Sequence, residues 1–180
     1  ILVVTDRGRI LENRKLYSVL DKITNTFRAI PFVILLALIA PITKLIVNTR
    51  IGPTAAIVPL IFSTVPFFAK QVEQALAEVD SGVIEAAESM GKGPVEIIWS
   101  VYLREGLPSL IRASSITLIS LLGLTAMAGL IGGGGIGDLA IAVGYQRYKD
   151  DVVLISVVII LIIVFIIQGV SNILIRKTSH

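Results

Sequence analysis

Few residues in this chain are equipped to break or make covalent bonds. There is no cysteine and a single histidine, His180, in the C-terminal tail, so thiolate chemistry and disulfides are excluded. His180 reads as a chain end rather than a ligand. No serine–histidine pair, carboxylate pair or metal-ligand cluster falls within an apolar segment, so intramembrane hydrolysis lacks its residues. We expect no catalytic residue and no metal site. Gly132-x-Gly134-x-x-Gly137 matches the dinucleotide fingerprint in form. That fingerprint needs a preceding strand and a following helix, whereas here it ends an apolar helix. We expect no cofactor there, and read the glycines as backbone that allows close helix approach and unusual dihedrals. No Gly-x-x-x-x-Gly-Lys-Ser/Thr is present, so the chain has no phosphate-binding loop of its own. What remains is binding chemistry. Glu85-Ala86-Ala87-Glu88-Ser89-Met90-Gly91 is a short acidic and small-residue run closed by glycine, in the longest mixed-charge segment, 70–106.

The elements that position this run are membrane helices. The chain has 180 residues, 54% of them hydrophobic and 16% charged, against about 25% charged in soluble domains. No charged residue occurs in 51–69, 113–137 or 152–175. About 20 apolar residues cross a bilayer core as helix, and each of these runs suffices. We expect an all-α polytopic fold with spans over 29–47, 51–69, 107–130 and 152–175. The first is the weakest: Pro31 starts it, and Pro41 should kink or break it. Pro59 and Pro66 lie in the second, where neighbouring helices can satisfy the freed carbonyls. Asn48-Thr49-Arg50 is a short turn, and 131–151 a glycine-rich, then polar, loop. Tyr17, Leu20, Ile23, Thr24 and Phe27 recur at helical spacing. They make an amphipathic helix, either lying on the membrane surface or extending the next span. Ile1-Leu2-Val3-Val4 reads as the tail of an apolar segment, so a further membrane helix is expected upstream.

The basic residues orient the spans. One side holds Arg7, Arg9, Arg14, Lys15, Lys22, Arg28, Lys70, Lys92, Arg104, Arg112, Arg176 and Lys177; the other holds Lys44, Arg50, Arg147 and Lys149. The bias puts 70–106 and the C-terminus in the cytoplasm. The net charge of +3 reflects this topology and gives no reason to expect nucleic acid.

Within the cytoplasmic segment, Ser81-Gly82 can cap a helix, with Glu85 in its first turn. Gly91 and Gly93 break it, and Pro94 starts a second helix. Val95, Ile98 and Val101 lie along one side of that second helix, with Ile97 beside them. Such a hairpin either docks in a partner's groove or packs on its own membrane helices.

Glu-Ala-Ala, three residues, Gly, nine residues, an aliphatic residue, one residue, Leu is carried here by Glu85, Ala86, Ala87, Gly91, Val101 and Leu103. In this the chain resembles the permeases of ATP-binding-cassette importers. They commonly follow that Leu with Pro; this chain has Arg104, with Leu107-Pro108 further on. Asn25-Thr26-Phe27-Arg28-Ala29-Ile30-Pro31-Phe32, Lys15-Leu16-Tyr17, Ala55-Ala56-Ile57-Val58-Pro59-Leu60, the run 132–137 and Gly144-Tyr145-Gln146 are similar to the methionine-uptake permeases of that family. The resemblance implies a type I importer permease fold, with a first membrane helix truncated here and four complete ones following. It implies a single transmembrane domain over 1–180, with a coupling helix in 80–106 that inserts into an ATPase. That ATPase binds ATP and Mg. The other implied partners are a second copy of the chain, an extracytoplasmic substrate-binding lipoprotein and membrane lipid, in a bacterial inner membrane. Transport would be of an amino acid, methionine foremost, by alternating access.

The third span carries Ser115, Ser120, Gly123 and Thr125 among other small residues, and Met127. They serve close helix packing, line the translocation path or its gate, or do both. A permease for another polar amino acid and an ATP-independent secondary transporter are the alternatives. The second would call for internal repeats and intramembrane ionisable residues, and neither is visible.

Overall fold

The computed structural model describes residues 13–178. The apolar run at 1–4, Arg7, Arg9 and His180 lie outside the described residues. Every element among them is helical: α1 (Arg14–Ala29), α2 (Phe32–Val47), α3 (Pro53–Ala77), α4 (Ser81–Ser89), α5 (Pro94–Ile97), a π-helical turn (Ile98–Tyr102), α6 (Leu103–Glu105) and α7 (Leu107–Ala128) come first. A 3-10 turn (Gly129–Ile131), α8 (Gly135–Asp138), a second π-helical stretch (Leu139–Tyr145) and α9 (Asp150–Thr178) complete the chain.

Three helices are long and apolar enough to cross a bilayer: Pro53–Ala77, Leu107–Ile131 and Asp150–Thr178, of 25, 25 and 29 residues. At 1.5 Å per residue these run about 37 to 44 Å, beyond the roughly 30 Å hydrocarbon core. α2 is shorter, with 16 residues. It makes a fourth span only together with α1, and the two helices meet at 110°. Pro31, with extended backbone (φ −56°, ψ 135°), sets the corner. The corner rules out a straight extension of the span and leaves α1 a separate amphipathic helix. Pro41 does not break α2, and α3 runs through Pro59 and Pro66.

α3 and α7 form the central packed pair; α2 and α1 flank α3, and α9 packs on α7. Phe32, Leu36, Ala56 and Ala128 make one buried cluster, and Leu35, Ile39 and Val58 another. Outward faces carry large apolar side chains, above all on α9 (Leu154, Phe165, Ile166), as expected where lipid replaces water. Some hydroxyls within the spans bond back to carbonyls one turn earlier, Thr117 to Ala113 at 2.8 Å and Ser156 to Val152 at 2.7 Å, which satisfies them without water. A polar clasp holds α1 to α3: Lys70 bridges Asp21 and Glu73, and Tyr17 donates to Glu73 at 3.0 Å.

The segment 131–151, expected to be a loop, is mostly helix: α8 and the π-helical stretch form one short apolar helix, Gly135–Tyr145. Gly132, Gly134 and Gly135 take positive φ (70°, 71° and 87°) and turn the chain back. α8 then lies against the end of α7 with no clearance. A Cβ on Gly137 would sit 2.3 Å from Ala126 Cα and 2.7 Å from Ala126 N. The Gly52 amide donates to Ile131 O at 2.7 Å and ties the α2–α3 turn to the same end of α7.

Candidate functional site: the hairpin at 80–106 and the α1–α3–α7 cavity

The Glu-Ala-Ala run sits on α4. Its cap lies one residue earlier than expected: the Asp80 side chain accepts from Gly82 N at 2.7 Å. Ser81 is therefore the first helical residue, and Glu85 falls beyond the first turn, so the helix dipole gives it little. At the other end Gly91 takes φ +78°. Gly91 N donates to Glu88 O at 2.9 Å and Lys92 N to Ala87 O at 3.2 Å, the paired bonds of a Schellman stop. Gly93 and Pro94 start the return helix, with Pro94 in its first turn. That helix runs on through the π-helical turn to Glu105. Buried Gly106 then joins it to α7, where a Cβ would lie 2.6 Å from Tyr102 O and 2.8 Å from Leu76 Cδ2. Arg104 thus does not end the helix.

The two halves pack on each other. Val79, Ile84, Ala87, Ile97, Val101 and Tyr102 form one buried cluster, with Leu76 of α3 against it. The inward side of the return helix is therefore Ile97, Val101 and Tyr102. The expected row of Val95, Ile98 and Val101 is corrected: Val95 is 66% exposed. The π-helical turn at Ile98–Tyr102 adds a residue and rotates the register there. The six motif residues separate accordingly. Ala87 and Val101 hold the hairpin together; Gly91 turns it; Leu103 is half-buried; Glu85 and Ala86 are exposed. Met90 and Trp99, each 71% exposed, lie on the same hairpin. Sequence reasoning passed over Trp99, although a lone tryptophan in a polar segment was visible.

The candidate path residues do not converge. Ser120 lines a cavity of about 460 Å³ between α1, α3 and α7, with Asn25, Arg28, Ser63, Thr64, Phe67 and Thr117 among its walls. Ser115 lines crevices on the other side of α7, against α9. Gly123 and Met127 are exposed, and Thr125 is half-buried with its hydroxyl bonded to Leu122 O at 2.6 Å. Among the described residues no group of three or more His, Cys, Asp or Glu is placed to hold a metal.

Helical spans, a proline-bent amphipathic helix and a compact hairpin between the α3 and α7 spans define a polytopic membrane protein. Residues 7–180 match the family of binding-protein-dependent transport system inner membrane components. The chain is 45% identical over 180 residues to a probable D-methionine transport system permease protein of Vibrio cholerae, covering 100% of this chain and 80% of that one. It is 46% identical over 174 residues to a methionine import system permease protein of Bacillus subtilis, covering 97% and 78%. A chain of the MetNI methionine ABC transporter, solved in an inward-facing conformation, superposes with a TM-score of 0.94 at 44% identity, covering 99% of this chain and 83% of that one. The chain belongs to the binding-protein-dependent transport system inner membrane components, and its fold is that of an ABC-importer permease.

Proposed function

We propose that the chain is the permease subunit of a methionine importer of the bacterial inner membrane, worked as a homodimer by a partner ATPase. Residues 1–180 form one transmembrane domain, within which 80–106 is the coupling segment. The observation that carries this is the partition of the hairpin: Ala87, Ile97, Val101 and Tyr102 are buried against one another while Glu85, Ala86, Met90 and Trp99 stand free. A segment with its own small core transmits displacement as a lever does, and an exposed, small-residue helix suits a partner's groove. The methionine names of the relatives support the cargo. The distribution of basic residues supports a cytoplasmic hairpin and C-terminus.

In this reading ATP and Mg are held by the partner, and no hydrolysis occurs on this chain. Closure of the ATPase dimer draws the two hairpins together, and through Leu76 and Gly106 the motion reaches α3 and α7. The spans rock as packed units, opening the path outward to a substrate-binding lipoprotein; hydrolysis resets it. The test is co-purification with the ATPase and ATP-driven uptake of labelled methionine in proteoliposomes. Glu85→Lys and Gly91→Pro are expected to lose coupled uptake while inserting normally. Wild-type uptake by both variants would remove the coupling role.

A further inference from the structure

The cavity between α1, α3 and α7 has chemistry that packing does not explain. Its volume is about 460 Å³, and no Asp or Glu lines it. Pockets of 300 to roughly 1,000 Å³ with a few convergent polar groups on apolar walls are the usual form of small-molecule sites. Arg28 stands on its wall with no acidic partner among the described residues. Its guanidinium lies 6.0 Å over the Phe67 ring and 3.5 Å from Asn25 Oδ1. Ser63 and Ser120 add hydroxyls to the same wall.

We propose that this cavity holds the amino-acid cargo within the permease. Arg28 takes the carboxylate, Asn25 Oδ1 and the Ser63 hydroxyl face the ammonium group, and Phe67 and Leu124 pack the apolar side chain. The inference rests on the transport reading above and adds the residues that touch cargo. Arginine suits a carboxylate because its fork of donors binds both oxygens. The acceptors are neutral, and Asn25 Oδ1 lies beside the guanidinium, so recognition is weighted toward the acid end of the cargo. Ser120, on α7, closes the site from the side of the third span. Of the path residues read from the sequence, it is the one on this wall.

The experiment uses the permease purified with its ATPase in nanodiscs of zwitterionic lipid, without nucleotide, and radiolabelled methionine as probe. Wild type is expected to bind saturably, with competition by the desamino acid and much weaker competition by methioninol, which lacks the carboxylate. Arg28→Gln should weaken binding roughly tenfold to a hundredfold and erase that preference. Ser63→Ala should weaken it roughly twofold to tenfold, and it serves as the test if Arg28→Gln does not fold. No saturable binding by wild type, equal competition by methioninol, monodisperse variants that bind as wild type, or displacement of methionine by added phosphatidylglycerol would each overturn the assignment. ATP-driven methionine uptake by the wild-type complex, measured in parallel, separates the two levels. If uptake persists while the binding criteria fail, only this site falls; if wild type takes up no methionine, the transport reading falls with it.

Discussion

Gly137→Ala puts a methyl group where α8 meets α7, and the interatomic distances there set its cost. The new Cβ would lie 2.3 Å from Ala126 Cα, 2.6 Å from Ala126 Cβ and 2.7 Å from Ala126 N. Carbon atoms rest at about 3.5–4.0 Å, so α8 must retreat by more than ~1 Å. A gap of 0.5–1 Å already forfeits roughly a quarter to a half of the dispersion attraction along the interface. Overpacking of this kind costs about 1–3 kcal/mol, and the obstacle here is backbone. Gly169 is the internal reference, being also helical, with nothing within 4 Å of the point its methyl group would occupy. Alanine gains about 1 kcal/mol over glycine in a helix interior, the position of Gly169; Gly137, in the first turn of its helix, gains no more than that. The difference between the two variants is then at least the clash, about 1–3 kcal/mol, or roughly 2–12 °C in apparent midpoint for a chain of this size. Thermal unfolding of the detergent-purified transporter at one fixed scan rate reads it, since unfolding of such proteins is commonly irreversible. Adding Ala126→Gly removes the 2.6 Å contact but leaves Cα and N in place, so the double variant should recover only part of the loss. Equal midpoints for Gly137→Ala and Gly169→Ala, or full rescue by Ala126→Gly, would refute the claim that backbone contact sets this interface.

Three further outcomes follow from the hairpin and the α1 clasp. Gly91→Ala forces an alanine to φ +78° with open space around it, so the cost is backbone alone, about 1–2 kcal/mol; amide exchange at Lys92 should quicken roughly fivefold to thirtyfold, and unchanged protection would count against the Schellman stop. Asp80→Ala removes the cap on α4 and should lower hairpin stability by about 1 kcal/mol, seen as faster exchange at Gly82, while Asp80→Asn keeps most of it. Lys70→Ala leaves Asp21 and Glu73 without their shared cation, and α1 should become open to protease at its N-terminal half; an unchanged digestion pattern would show the clasp to be dispensable.

Charge-free length made the three long spans legible, because length and polarity alone decide which segments lipid can accept. Gly91, Gly93 and Pro94 marked the hairpin for the same reason: each restricts or frees the backbone whatever surrounds it. Features decided by contact were not legible. Glycines at 132–137 suggested a loop, yet Gly137 is helical, and it is glycine because no larger residue fits beside Ala126. The inward side of the return helix depended on the π-helical turn at Ile98–Tyr102, which shifts register without a residue-type signature. Asp80 displaced Ser81 as cap because both are good acceptors and the sequence does not rank them. Ser63 and Thr64 lay unremarked within an apolar run, and only the fold brings them beside Arg28 and Ser120.

Trp99 is the one tryptophan in the chain, and it projects from the hairpin into the open. Its indole is therefore a native optical reporter in the region assigned to the motor subunit. Engagement that shields it from solvent should move its emission toward the blue and slow its quenching by iodide. Provided the ATPase used lacks tryptophan or has it replaced, the coupling stroke can be followed in real time on an unlabelled permease.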